Sequence, residues 1–251
     1  MEQYATAQQV FIGGLVFARV GAMVMLIPGF GEQPAPTRIR LAFALLMALV
    51  LAPVVGHTLP AIPQTSGAMG GYVIREVLIG LMLGAILRMF LASLATAGEI
   101  ISIQTTLSFA QTTNPLLAQG GSSLASFLSL LGVVLIMATD LHHLFLSAIA
   151  NSYTLFPATK GLLINDWGML AVRTLSSAFA LGVQLAAPVL VFSLVFNLAT
   201  GLIGRAMPQF QIFFAAAPLQ VLLGLSLFAL SLGTMGMVWL TRYRELLSVF
   251  G

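Results

Sequence analysis

Between two long apolar runs, the chain sets Asn197, Gly201, Gly204, Arg205, Pro208, Gln209 and Gln211 close together. If residues 197–205 are helical, Asn197, Gly201 and Arg205 step by four and form one narrow polar and small stripe. Pro208 then removes a backbone donor and frees the carbonyl of Gly204. In a membrane such a break survives only where protein or a water-filled cavity covers it. The expectation is therefore against a simple bundle of lipid-facing helices.

Membrane residence follows from composition. Hydrophobic residues make up 59% of the 251 positions and charged ones 7%, against roughly 25% charged in ordinary soluble domains. The mean hydropathy is +1.03. The net charge is only +3, and no Lys/Arg run is present, which argues against a nucleic-acid partner. Cysteine is absent, which excludes disulfides and thiol chemistry. The first residues lack the positive region of a signal peptide, so the first apolar run is expected to remain in the mature protein.

Six apolar runs stand out, at 10–27, 41–55, 72–97, 124–150, 174–199 and 212–240. A bilayer core of about 30 Å takes about 20 helical residues. The second run would reach only about 22 Å and the sixth about 43 Å, lengths that fit badly into one flat slab. Charge fits badly too. Arg38 and Arg40 place the connection 28–40 inside. Continued alternation would then put Lys160, Arg173, Arg242 and Arg244 outside, against the positive-inside rule. Hairpins that cross only partly are the expectation.

Arg19, Arg75, Glu76, Arg88 and Asp140 lie within or at the ends of the runs. Each costs roughly 2.5–3.5 kcal/mol at a helix centre on insertion scales, so each should face protein or water. On a continuous helix over 76–99, Glu76, Gly80, Gly84, Arg88, Ala95 and Glu99 share one sector of about 140°. Gly80 and Gly84 would let another backbone approach closely beside the charges. A packing seam is the expected role, with a proton or ion pathway the alternative.

A thinner stripe of Ser126, Ser129, Gly132, Asp140, His143 and Ser147 lies in the fourth run. Asp140, His142 and His143 are metal-type donors, but metal sites need three or four convergent ligands. An interfacial histidine pair is expected, with no metal and no other cofactor. No phosphate loop, zinc motif, nucleophile elbow or carboxylate pair points to catalysis. The expectation is a protein that is not an enzyme.

The segment Phe109, Ala110, Gln111, Thr112, Thr113, Asn114, Pro115, Leu116, Leu117, Gly120 and Gly121 is uncharged and rich in turn formers. Its residues read as an exposed connection, with a re-entrant plug as the alternative.

Three stretches together resemble the FliR family of bacterial flagellar export-gate proteins. One runs from Pro28 through Glu32, Arg38 and Arg40 to Pro53. Another joins Gly98, Glu99, Gln104, Leu107, Ser108, Phe109 and Ala110. The third runs from Asn197 to Gln211, followed by Phe214 and Pro218. Order and spacing extend the resemblance over essentially the whole chain. Two positions depart from it, Thr106 where the family usually has Gly and Asn114 where it commonly has Asp.

The resemblance implies an all-α, membrane-associated fold of broken helices and helical hairpins. Residues 1–165 would look like a FliP-like subunit and 166–251 like a FliQ-like hairpin. It also implies a channel-forming subunit of the flagellar type III export gate, passing unfolded flagellar subunits across the bacterial inner membrane at the centre of the basal body. FliP-like, FliQ-like, FlhB-like and FlhA-like components would be its partners. Phe109–Gly121 would be the plug, and the stripes of Glu76, Gly80, Gly84, Arg88 and Glu99 and of Asn197, Gly201, Arg205, Pro208, Gln209 and Gln211 would pack against other subunits. The alternatives are the equivalent subunit of a virulence secretion system and a small-solute secondary transporter. The latter predicts a second helix break in the first half.

Overall fold

A computed structural model describes residues 2–29, 36–108, 122–159, 164–207, 209 and 212–247. Seven α-helices and one short 3₁₀ turn, Gly56–Thr58, are found among them, with no strand. In chain order they are α1 Glu2–Val24, α2 Thr37–Val55, α3 Ser66–Gln104, α4 Ser123–Ala138, α5 Leu141–Leu155, α6 Ile164–Ala206 and α7 Ile212–Leu247. The fold is all-α and of a membrane type. Five of these helices contain stretches long and apolar enough to cross a membrane, and α4 with α5 would add a broken sixth.

Several helices outrun their apolar cores. The second run gains a turn at its start, and the 19 residues of α2 reach about 28 Å, enough for a bilayer core. The mismatch lies at the other extreme. The 39 residues of α3 and 43 of α6 would measure about 58 and 65 Å. Arg173, expected in a connection, lies inside α6. The fourth run is two helices, because Asp140 takes φ 57° and ends the helical path between α4 and α5. Asp tolerates that left-handed conformation better than most residues.

Two compact units interleave along the sequence. The first comprises 1–90, 140–175 and 244–251, and the second 91–139 and 176–243. In the first, α2 buries Ala44, Ala48, Leu51 and Val55, a helical period facing the core. Its other faces leave Leu41, Leu45, Leu46, Leu49, Val50 and Val54 exposed. Apolar side chains all round a helix suit lipid or a partner subunit, not water.

The second unit centres on Trp239, wholly buried, which stacks on Tyr243 at 4.9 Å and donates from Nε1 to Ser93 Oγ at 3.1 Å. A buried indole N–H needs such an acceptor. Gly132 makes room for this core: a Cβ there would overlap the Leu94 and Leu91 side chains. In the same unit Phe192 on α6 approaches Gly224 on α7. Position 192 lies about as far before the end of α6 at Ala206 as position 224 lies after the start of α7 at Ile212, so α6 and α7 form an antiparallel hairpin.

Candidate functional site

Polar side chains are scarce here, so where they meet is informative. In the first unit Arg19 on α1 is completely buried and forms a two-pronged ion pair with the equally buried Glu76 of α3. Nε donates to Glu76 Oε2 at 2.6 Å and Nη2 to Oε1 at 2.9 Å. Nη1 donates to the Ser152 carbonyl at 2.8 Å and to Ser152 Oγ at 3.3 Å. The second Nη2 hydrogen reaches the Phe156 carbonyl at 2.8 Å. All five guanidinium hydrogens are thereby used. The two carbonyls belong to the C-terminal end of α5, where a cation is favoured; that of Ser152 also accepts from the Phe156 backbone N–H at 2.9 Å. The Tyr153 ring covers the guanidinium with its centroid 4.1 Å away.

The glycines beside this pair have a definite task. A Cβ at Gly80 would run into the Arg19 carbonyl and Ala22 Cβ, and one at Gly84 into Leu26 Cβ and the Met23 carbonyl. Only glycine lets α3 lie this close to α1. Arg88 is exposed. Glu99 lies in the second unit, where a carboxylate oxygen accepts from the Ser122 backbone N–H at 2.6 Å. The structure thus joins Glu76, Gly80 and Gly84 to α1, and gives Arg88 and Glu99 other surroundings.

In the second unit the last turn of α3 meets the α6–α7 hairpin through polar groups. Ser193 Oγ donates to Gln104 Oε1 at 2.7 Å, and Asn197 Nδ2 donates to Ser193 Oγ at 3.2 Å. Gln220 of α7 donates to the Gln104 carbonyl at 2.8 Å. Next to this network opens a cleft of about 440 Å³, lined by Thr106, Asn197, Thr200, Phe214, Ala216, Ala217 and Gln220. Thr106 has φ 60°, a conformation that strains a β-branched residue and that glycine adopts freely.

Residues 197–205 are helical, as the stripe requires, and α6 ends at Ala206. Gly201, Arg205 and Gln209 are exposed within this chain, and Asn197 is exposed apart from its bond to Ser193. Leu194, Val195, Leu198, Leu202, Ile203 and Met207 are exposed around them. Arg205 lies in the last turn of α6, where its charge complements the helix dipole. Pro208, Gln211 and the whole segment Phe109–Gly121 lie outside the described residues.

Sequence reasoning did not single out Ser193 or Gln220, and placed Gln104 only in the family resemblance. Ser193 stands one step of four before Asn197 and extends its stripe, a signal that could have found it, whereas Gln104 and Gln220 are lone polar residues in or beside an apolar run. Their partners come from other helices. Asp140, His142 and His143 do converge, with one possible donor atom from each within 4.8 Å of the others.

Polar clusters buried between long helices that are apolar enough to cross a membrane define an all-α membrane protein. The family model described as bacterial export proteins, family 1, matches residues 10–246, and the chain belongs to that family. Its relatives narrow the assignment to the FliR group of flagellar biosynthetic proteins. The flagellar biosynthetic protein FliR of Caulobacter vibrioides is 64% identical over 250 residues, covering 100% of both chains. The Escherichia coli FliR is 32% identical over 84% of this chain and 80% of its own length. The Bacillus subtilis FliR is 25% identical over 82% and 80%. The chain is accordingly a membrane protein of the flagellar export apparatus.

Proposed function

We propose that the chain is a channel-forming subunit of the flagellar export gate in the bacterial inner membrane, through which unfolded flagellar subunits pass. The cleft at Thr106, Asn197 and Gln220 carries this reading. It sets Thr106, Asn197, Thr200 and Gln220 in a mostly apolar wall at the end of α3 and beside the α6–α7 hairpin. An extended polypeptide carries a donor and an acceptor on nearly every residue, and such a wall offers it polar partners where water is scarce.

In this reading FliP-like and FliQ-like subunits cover the apolar faces, and FlhB-like and FlhA-like components adjoin the gate. Residues 1–165 take the place of a FliP-like subunit and 166–251 that of a FliQ-like hairpin. The exposed residues Gly201, Arg205 and Gln209 then pack on neighbours, as do Pro208 and Gln211. Phe109–Gly121, which follows α3 directly, closes the conduit. An uncharged segment suits a seal, because no ion is stranded when it moves.

The test is removal of residues 111–121 in cells producing the complete gate, with complex yield and ion conductance as readouts. Near-normal assembly with added leak is expected. Normal assembly with no added leak would return the segment to an ordinary connection.

A further inference from the structure

We propose that Asp140, His142 and His143 form a binding site for a first-row divalent metal ion, of which zinc is the type, at the break between α4 and α5. One donor atom from each of the three lies within 4.8 Å of the other two. Three features set this cluster apart from chance proximity.

First, the carboxylate is left uncommitted by the helix it precedes. Asp140 occupies the N-cap position of α5 with φ 57°, not the extended backbone from which a side chain ordinarily caps, and it makes no capping hydrogen bond. Second, His142 Nδ1 is buried and has no hydrogen-bond partner, an arrangement that costs about 1–3 kcal/mol unless something occupies the lone pair or takes the proton. Third, adjacent residues on a helix project about 100° apart and do not face each other. The His142 and His143 rings nevertheless approach to 4.2 Å between centroids, tilted by 35°. Side chains in a helix lean towards its N-terminus, which here is the Asp140 end.

The donor set decides the metal class. Two imidazoles and one carboxylate, in a chain without cysteine, suit Zn²⁺, Co²⁺, Ni²⁺ or Cu²⁺ and disfavour Ca²⁺ and Mg²⁺, which take oxygen ligands. A tetrahedral zinc site with bonds of about 2.0–2.1 Å separates its donors by about 3.3 Å. The three donors, 4.8 Å or less apart, would draw in to that spacing on binding. Asp140 and His143 are exposed and His142 half-buried within this chain, so the chain itself leaves a fourth position open. Bound there, the ion would tie the turn to the first residues of α5 and fix the backbone at the break.

The cluster contains two of the three histidines in a chain without cysteine, which makes the assignment simple to check. The full chain is purified in detergent together with its partner subunits, through a tag free of histidine, and dialysed against Zn²⁺ or Co²⁺. One Zn²⁺ per chain is expected beyond that held by the His142→Gln/His143→Gln variant. Affinity should fall at least tenfold in Asp140→Asn, while His57→Gln binds as the wild type does. Cobalt should give the intense visible bands of a four- or five-coordinate ion, and X-ray absorption of the zinc form should count two imidazoles. Equal zinc in the wild type and the double variant would overturn the proposal. Should the variants fail to assemble, an octahedral, water-like cobalt spectrum in the wild type would overturn it equally.

Discussion

Arg19 decides more about this molecule than any other single side chain. Its charge is affordable because five acceptor contacts and an aromatic face replace water completely. Removing one partner of a buried pair leaves the other uncompensated, at about 3–5 kcal/mol. Arg19→Ala should therefore abolish most of the yield of assembled complex, and Glu76→Gln should lower its thermal midpoint. Wild-type yield and midpoint in both variants would show that the pair is dispensable. Thr106 works in the opposite direction. A left-handed conformation costs an L-residue about 1–2 kcal/mol, and glycine's extra freedom in the unfolded chain takes back about 0.5–1. Thr106→Gly should raise stability by about 0.5–1 kcal/mol, read as a higher midpoint in chemical or thermal unfolding. An unchanged or lower midpoint would mean that the Thr106 hydroxyl, 2.7 Å from the Thr105 carbonyl, offsets the strain. Both residues were visible in the sequence, Arg19 as an ion in an apolar run and Thr106 as a departure from the family's usual glycine. Their partners and backbone angle were not. Arg19 and Glu76 are 57 residues apart, and no local pattern encodes a contact at that range.

Helices as elements were readable where the apolar period was continuous and unreadable at their ends. The run at 72–97 became α3 from Ser66 to Gln104, because Ser, Gly, Glu and Gln extend a helix without adding to its hydropathy. The break at Asp140 was hidden for the opposite reason: its neighbours include neither Gly nor Pro, the usual markers. A close backbone approach was legible through Gly80 and Gly84, whose spacing marks a narrow face, but its partner, α1 of the same chain, was not. Gly80→Val should force these helices apart, and overpacking of this kind typically costs about 1–3 kcal/mol or more. The expected outcome is loss of the purified complex. By contrast a Cβ at Gly201 would meet nothing within 4 Å in this chain. Gly201→Val should leave α6 itself helical by circular dichroism, so a loss of assembly there would locate a neighbouring subunit at Gly201. Equal tolerance of valine at both positions would remove the packing argument from each.

For the whole molecule, the surface sets the terms. Phe214, Leu222, Leu230 and Met237 on α7 and Leu194, Leu198 and Leu202 on α6 are all exposed. Gly201 and Arg205 share that hairpin surface. A lipid environment would satisfy the leucines but not the arginine. Protein neighbours satisfy both. Expressed alone, the chain should aggregate or be degraded; co-expressed with FliP-like and FliQ-like subunits, it should elute from a sizing column as one large complex. A monodisperse, stable monomer in mild detergent would contradict this.

The buried ion pair also has a schedule. Ribosomes add roughly 5–20 residues per second, so the 57 residues between Arg19 and Glu76 take about 3–11 s to make. Ser152 and Phe156, 133 and 137 residues beyond Arg19, come later still. Throughout that interval α1 holds a guanidinium whose partner Glu76 does not yet exist. The nascent chain then depends on the insertion machinery to keep its first helix in a hydrated place until the third arrives.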